Sequence, residues 1–259
     1  MKSDLKTSII QSELIWKDIN SNLSMFDKKI NSISKKTDLI ILPEMFTTGF
    51  TMEIDFVNEK DEELIISKMQ DWALTKNAAI CGSIIVKENN NSYNRLYFIK
   101  PDGSYQTYNK RHLFRMADED KYFTAGNEKI IIDYKGWKIR PLICYDLRFP
   151  VWSRNINNEY DLLIFVANWP TPRKNAWSTL LKARAMENLA YCIGVNRIGS
   201  DNNGMLYSGS SAIIDFKGDT IFENEDGDVI KTETLSKDNL DAFREKFPAQ
   251  SDADNFDII

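Results

Sequence analysis

Residues Lys138–Pro150 read KIRPLICYDLRFP, and the change of character along this stretch sets the fold class. Ile139, Leu142 and Ile143 suit a buried strand, whereas Asp146, Arg148 and Pro150 end it. Cys144 therefore stands at the carboxyl end of a strand, where open α/β folds bind ligands and where a thiol reaches a substrate. Free cysteine is also among the most buried residue types, so this segment alone fits a core cysteine equally well.

Composition narrows the class. With 259 residues, 42% hydrophobic and 27% charged, the chain suits one large α/β or layered domain with a substantial core. No stretch approaches the ~18 consecutive apolar residues of a membrane span, and MKSDLKTSIIQSEL lacks the ~7–15 residue apolar core of a secretory signal. The three cysteines, Cys81, Cys144 and Cys192, form no close pair, which indicates a reducing compartment, by default the cytoplasm. A net charge of −5 without a basic block argues against nucleic acid and for a small substrate. One histidine and no paired cysteines supply no soft ligand set for zinc, so no metal is expected.

Along the chain, strand patterns alternate with helical ones. Thr7–Leu14 reads as a strand and Asp18–Ser34 as a helix, with Ile19, Leu23, Phe26, Ile30 and Ile33 on one face. Asp38–Pro43 (DLIILP) is a continuous apolar run, the mark of a strand covered on both faces, and Glu44 follows it directly. A carboxylate placed there must pair, shift its pKa or face a cleft, because burying it unpaired is costly; a glutamate at a surface turn is the plainer alternative. Asp61–Lys76 predicts a second helix and Ala78–Val86 another strand. Tyr93–Lys100 and Ser104–Tyr108 flank Pro101-Asp102-Gly103 as a hairpin. Its second strand runs into Lys110 and His112, which share a face if the extended conformation continues. Met116–Gly126 is a long acidic and aromatic loop. Beyond Cys144 the pattern predicts a short helix at Pro150–Asn157, a buried strand at Asp161–Asn168, a helix at Lys174–Ala190, and strands at Tyr191–Ile198 and Tyr207–Phe216. From Glu223 onward the chain is acidic and less patterned, and Phe247–Ile259 shows neither strand nor helix, which suggests an extended docked tail.

A thiol with an ordinary pKa near 8.5 needs a base or a neighbouring cation to attack a carbonyl well. His112 is the sole histidine, but a structural hydrogen-bonding role fits it as well. Glu44 is the better candidate, because Glu44, Lys110 and Cys144 each terminate a strand and can converge on one edge.

At this point the sequence resembles the carbon–nitrogen hydrolases of the nitrilase superfamily, which use glutamate, lysine and cysteine. The resemblance is carried by LPEMF at Leu42–Phe46, YNKRHLF at Tyr108–Phe114 and CYDLRFP at Cys144–Pro150. It extends through Ala167-Asn168-Trp169-Pro170, the KARAMEN run at Lys182–Asn188 and REKFP at Arg244–Pro248. It implies a four-layer αββα sandwich over residues 1–259, with 244–259 as a docked carboxyl-terminal tail, and pairing into a homodimer. It also implies a cofactor-free thiol amidohydrolase: Glu44 takes the proton of Cys144, while Lys110 and the backbone N–H of Tyr145 hold the oxyanion. Glu119 resembles the family's second active-site glutamate, which holds Lys110.

Within the superfamily, EMFTTGF at Glu44–Phe50, RHLFRMA at Arg111–Ala117 and Asn168-Trp169-Pro170 are most similar to the omega-amidase branch. That branch hydrolyses the terminal amide of 2-oxo acid monoamides such as 2-oxoglutaramate and 2-oxosuccinamate. Such a substrate carries a carboxylate, for which Arg173 is the chosen cation, with Arg148 and Arg115 as alternatives and Phe46 and Trp169 as apolar wall. Other amidases and N-carbamoyl hydrolases share the triad, and a non-catalytic binding protein on the same fold is the alternative from another class.

Overall fold

The computed structural model describes residues 4–254 and Phe256. Its elements in chain order are β1 (Leu5–Gln11), α1 (Ile19–Asn31), β2 (Leu39–Ile41), α2 (Glu59–Lys76), β3 (Ala79–Glu88), β4 (Asn91–Ile99), β5 (Tyr105–Asn109), α3 (Glu119–Tyr122), β6 (Ile132–Tyr134), β7 (Trp137–Ile143), α4 (Pro150–Ser153), β8 (Leu162–Val166), α5 (Lys174–Asn188), β9 (Tyr191–Val195), β10 (Ile198–Ser200), β11 (Leu206–Ser208), β12 (Ser211–Ile214), β13 (Thr220–Asn224), β14 (Val229–Leu235) and α6 (Lys237–Lys246). They build two six-stranded mixed sheets, ordered β14-β1-β2-β3-β4-β5 and β13-β12-β9-β8-β7-β6. At the centre of each sheet three strands run parallel, β1-β2-β3 and β7-β8-β9, and antiparallel strands flank them.

Side-chain alternation separates the layers. Leu5, Ile9, Leu39, Ile41, Ala79 and Cys81 share one core with the second sheet and with Trp177, Leu181 and Ala185 of α5. Ile10, Ile40, Leu42 and Ile80 enter the other core, against Leu23, Phe26 and Ile30 of α1 and Ile65, Met69 and Trp72 of α2. The result is helices, sheet, sheet, helices, the αββα sandwich. Both helices of the first layer start on side-chain caps: Asp18 accepts from Ser21 N, and Asn58 and Asp61 form a capping box. Asn77 ends α2 at φ 48°, a left-handed position that asparagine tolerates. No helix of the described residues is long and apolar enough to cross a membrane.

Three stretches depart from the pattern read in the sequence. Tyr207–Phe216 is not one strand: Gly209 and Ser210 take φ of 70° and 59°, so β11 pairs with β10 as a separate ribbon while β12 joins the second sheet. The carboxyl-terminal part is more regular than its composition suggests. β14 crosses back to the first sheet and pairs with β1 along seven residues, Leu5 with Leu235 through Gln11 with Val229. As a partly exposed edge strand it needs no apolar run, which hides it from a hydropathy reading. Arg244, the first residue of the expected docked tail, lies in α6 and donates to Asp161, to Leu189 O and to Tyr160 O. A short 3₁₀ turn follows at Ala249–Asp252, where Gln250 donates to Glu187 O. Ile258 and Ile259, assigned to the same tail, lie outside the described residues.

Close packing of α5 on the second sheet depends on Gly194 in β9. A Cβ there would sit 2.5 Å from Leu181 Cδ1 and 2.6 Å from Trp177 Cζ2, both on buried side chains. Gly194→Ala should therefore destabilise the fold by about 1–3 kcal/mol through overpacking, read as a lowered midpoint in thermal unfolding followed by circular dichroism.

Candidate active site

Glu44 stands three residues beyond β2, Lys110 immediately after β5, and Cys144 immediately after β7. Two sheets thus deliver three chemically complementary groups to one place. Lys110 Nζ lies 2.9 Å from Glu44 Oε1 and 2.9 Å from each oxygen of Glu119. All three side chains are at most 1% exposed. The carboxylates have further donors: Asn94 Nδ2 to Glu44 Oε1 at 2.8 Å, Asn168 N to Glu44 Oε2 at 2.8 Å, and Phe114 N to Glu119 Oε2 at 2.5 Å. Asn168 Nδ2 also donates to the backbone oxygen of Glu44 at 2.5 Å, fixing the residue at both ends. This hydrogen bonding offsets a desolvation cost that a buried ion pair seldom recovers from attraction alone.

Charge and burial set the protonation states. Burial disfavours the Lys110 ammonium, but the carboxylates of Glu119 and Glu44 outweigh it and hold the pKa above the ordinary lysine value. Burial raises Glu119, against the pull of Lys110 and with a further push from Glu44. The Cys144 thiol is driven well above its usual range, first by burial and then by the neighbouring Glu44, with Lys110 opposing. Cys144 therefore rests as a neutral thiol. The chain at Cys144 adopts φ 44°, a left-handed conformation costly for a residue with a Cβ and frequent at functional sites. Cys144 opens a 3₁₀ turn, Cys144–Arg148, so the N–H of Tyr145 belongs to a first turn, whose donors have no partner within the helix.

A cleft of about 320 Å³ reaches Cys144 and Lys110 between walls that include Phe50, Phe114, Tyr145, Arg148, Trp169, Arg173 and Tyr207. Trp169 is fixed in place, its indole donating to Arg173 O at 2.8 Å and its N–H to Asn196 Oδ1 at 2.7 Å. Arg148 lies 5.1 Å from the Trp169 ring centroid and Arg173 5.1 Å from that of Phe114. Arg173 also contacts Met116 Sδ at 3.0 Å. Among the described residues neither arginine has a carboxylate partner. Arg115, by contrast, is an exposed side chain 3.6 Å from Asp120 and is not part of the cleft wall.

Phe46 does not serve as a wall. The turn after Glu44 takes Met45 to φ 42°, and Phe46 turns back into the helix-side core, where its ring meets Phe26 at 5.4 Å and Trp72 at 6.4 Å. Gly82 makes room for it, since a Cβ there would approach Phe46 Cδ1 to 3.1 Å. Phe50, four residues on, takes the wall position, 5.3 Å from Lys110 Nζ. His112 is held by Asp146 at 2.8 Å and stacked on Phe149 at 3.7 Å. Asn94, Phe50, Phe114 and Tyr207 escaped the sequence reading. Asn94 had a signal: it shares a strand face with Leu96 and Phe98, and an amide on an apolar face needs a buried partner.

Residues 6–242 match the carbon–nitrogen hydrolase model, and the chain belongs to that family. It is 45% identical over 258 residues to an omega-amidase of Yersinia enterocolitica, covering 99% of this chain and 100% of that protein. A 2-oxoglutaramate amidase of Bacillus subtilis is 32% identical over 251 residues, 95% of this chain and 96% of the other. The crystal structure of XC1258 from Xanthomonas campestris, a superfamily member with an arsenic adduct in its active site, superposes with a TM-score of 0.96 at 40% identity, covering 99% of this chain and 100% of that one.

Lys110→Ala should lower turnover by about 10²–10³-fold, the usual cost of deleting one oxyanion donor, whereas His112→Asn should cost far less. Steady-state ammonia release from both variants checks this; a folded but inactive His112→Asn would reinstate histidine as the base.

Proposed function

We propose that the protein is an omega-amidase that hydrolyses the terminal amide of 2-oxo acid monoamides, 2-oxoglutaramate above all and 2-oxosuccinamate as well. The observation that carries this reading is Lys110 bound between Glu44 and Glu119 below a cleft that reaches Lys110 and Cys144 and whose wall holds Arg148 and Arg173, neither of them with a carboxylate partner among the described residues. As Glu44 removes its proton, Cys144 Sγ attacks the amide carbon. Lys110 has three N–H donors; with one shared between the two oxygens of Glu119 and one on Glu44, the third serves the developing oxyanion beside the Tyr145 N–H. Collapse breaks the C–N bond, Glu44 returns the proton to the leaving nitrogen, and ammonia departs from an acyl-thioester. Glu44 next takes a proton from water, whose oxygen attacks the thioester carbon; the thiolate leaves and recovers the proton. Glu119 holds Lys110 in place throughout.

The substrate's remote carboxylate docks on Arg173, with Arg148 beside it and Trp169 and Phe50 excluding water. The same reading has subunits pairing into homodimers in the cytoplasm. Phe247 and Phe256, 54% and 37% exposed, lie in the segment assigned to pairing, and light scattering at micromolar concentration would reveal a monomer.

The test is ammonia release from 2-oxoglutaramate, glutamine, an aliphatic amide, a nitrile and an N-carbamoyl amino acid. The oxo-acid amide should rank first, and a lower rank would remove the omega-amidase assignment. Arg173→Met should raise KM for 2-oxoglutaramate by on the order of 10- to 150-fold, the ~1.5–3 kcal/mol of a hydrogen bond to a charged group, and leave a neutral aliphatic amide nearly unaffected.

A further inference from the structure

Lys110 follows β5 of the first sheet and Cys144 follows β7 of the second. Stacked sheets touch through side chains alone, about 10 Å apart, with no ladder hydrogen bonds between them. Something other than strand pairing must set the separation of the ammonium and the sulfur. The carboxylate of Asp146, two residues past the nucleophile and fully buried, spans that gap. Its Oδ2 accepts from Ile143 N at 3.0 Å and from Tyr108 OH at 2.8 Å. Its Oδ1 accepts from His112 N at 3.0 Å and from His112 Nδ1 at 2.8 Å. A carboxylate has about four acceptor sites, and all four are used.

The donors come from two places that matter. Ile143 precedes the strained Cys144, while Tyr108 and His112 flank Lys110 at two residues on either side. Tyr108 is itself pinned, because its hydroxyl accepts from Trp152 Nε1 at 3.0 Å and Arg111 N at 3.2 Å while donating to Asp146. His112 is clamped by its stack on Phe149. Tied to Asp146 through both its backbone N–H and Nδ1, the imidazole acts here as a strut. Arg184 holds the far end of the same turn through Leu147 O at 2.7 Å.

We propose that Asp146 is a positioning residue for catalysis, whose carboxylate, with Tyr108 and His112 as its donors, fixes the Cys144 turn of one sheet against the Lys110 segment of the other. The inference rests on Cys144 and Lys110 being the reactive pair and not on which amide is the substrate. An amide at position 146 would keep one oxygen and turn an NH₂ group toward donors, so Asp146→Asn loses at least two of the four bonds.

Asp146→Asn, Tyr108→Phe and the double variant of the whole chain should be followed by ammonia release from 2-oxoglutaramate, by the rate of Cys144 alkylation with iodoacetamide, and by thermal unfolding. Asp146→Asn should lower kcat by about 10²-fold, the cost of a displacement on the order of 1 Å between reacting groups, with KM nearly unchanged and alkylation clearly altered. Tyr108→Phe should lower kcat several-fold and add nothing in the Asp146→Asn background, because residues acting through one network are not additive. A lower melting temperature with wild-type kcat and alkylation rate per folded site would show Asp146 to be structural only and overturn the proposal. Should Asp146→Asn fail to fold, Tyr108→Phe and His112→Asn decide the matter, and wild-type kcat and alkylation in both would overturn it. Alkylation needs no substrate, so failure of the 2-oxoglutaramate assignment leaves this readout intact.

Discussion

The Lys110 ammonium, enclosed between Glu44 and Glu119 and at most 1% exposed, is the constraint that the rest of the site serves. An ion taken out of water costs several kcal/mol even after relaxation, and removing one member of a buried pair typically costs 3–5 kcal/mol because a bare charge remains. The chain meets that demand with donors from three separate segments: Asn94 from β4, Lys110 and Phe114 from the stretch after β5, and Asn168 from the turn after β8. Each donor fixes the end of one element relative to the others. The charge cluster is therefore also what sets strand ends from both sheets in register, and stability and catalytic geometry draw on the same bonds.

Conformational strain is concentrated where these elements meet. Met45, directly after Glu44, and Cys144 both occupy the left-handed region at φ 42° and 44°. Each costs on the order of 1–3 kcal/mol and persists only when its surroundings over-determine it. Around Met45 they do, through its N–H to Ser83 Oγ at 2.9 Å and the burial of Phe46 behind it. Around Cys144 the buried hydrogen bonds of Asp146 and Arg184 play that part. In both cases the strained turn lets a chain leaving a buried strand change direction within one residue.

Much of the architecture was legible because its physics is periodic. DLIILP and DLLIFVAN are strands covered on both faces, and the three- and four-residue spacing from Ile19 to Ile30 marks the face of α1. Aperiodic features were not legible. The break at Gly209-Ser210 makes a ribbon of β10 and β11 and brings Tyr207 to the cleft, yet Tyr207–Phe216 reads as one unbroken strand. β14 is an edge strand with charged and hydroxyl side chains, and its partner β1 lies at the opposite end of the sequence; no local pattern encodes a pairing at that separation.

The sequence by itself determined which residues end strands and that Glu44, Lys110 and Cys144 have complementary characters. Those properties reside in residue type and local spacing. The tertiary structure decided which side chains face the cleft. One residue with positive φ sends Phe46 into the helix-side core and leaves Phe50 as the wall. Arg115 turns to Asp120, whereas Arg148 and Arg173 stay in the cleft, without carboxylate partners among the described residues. The direction of a side chain beyond a strand end follows from backbone turns and from packing against elements distant in sequence, so it emerges only when the two sheets are brought together.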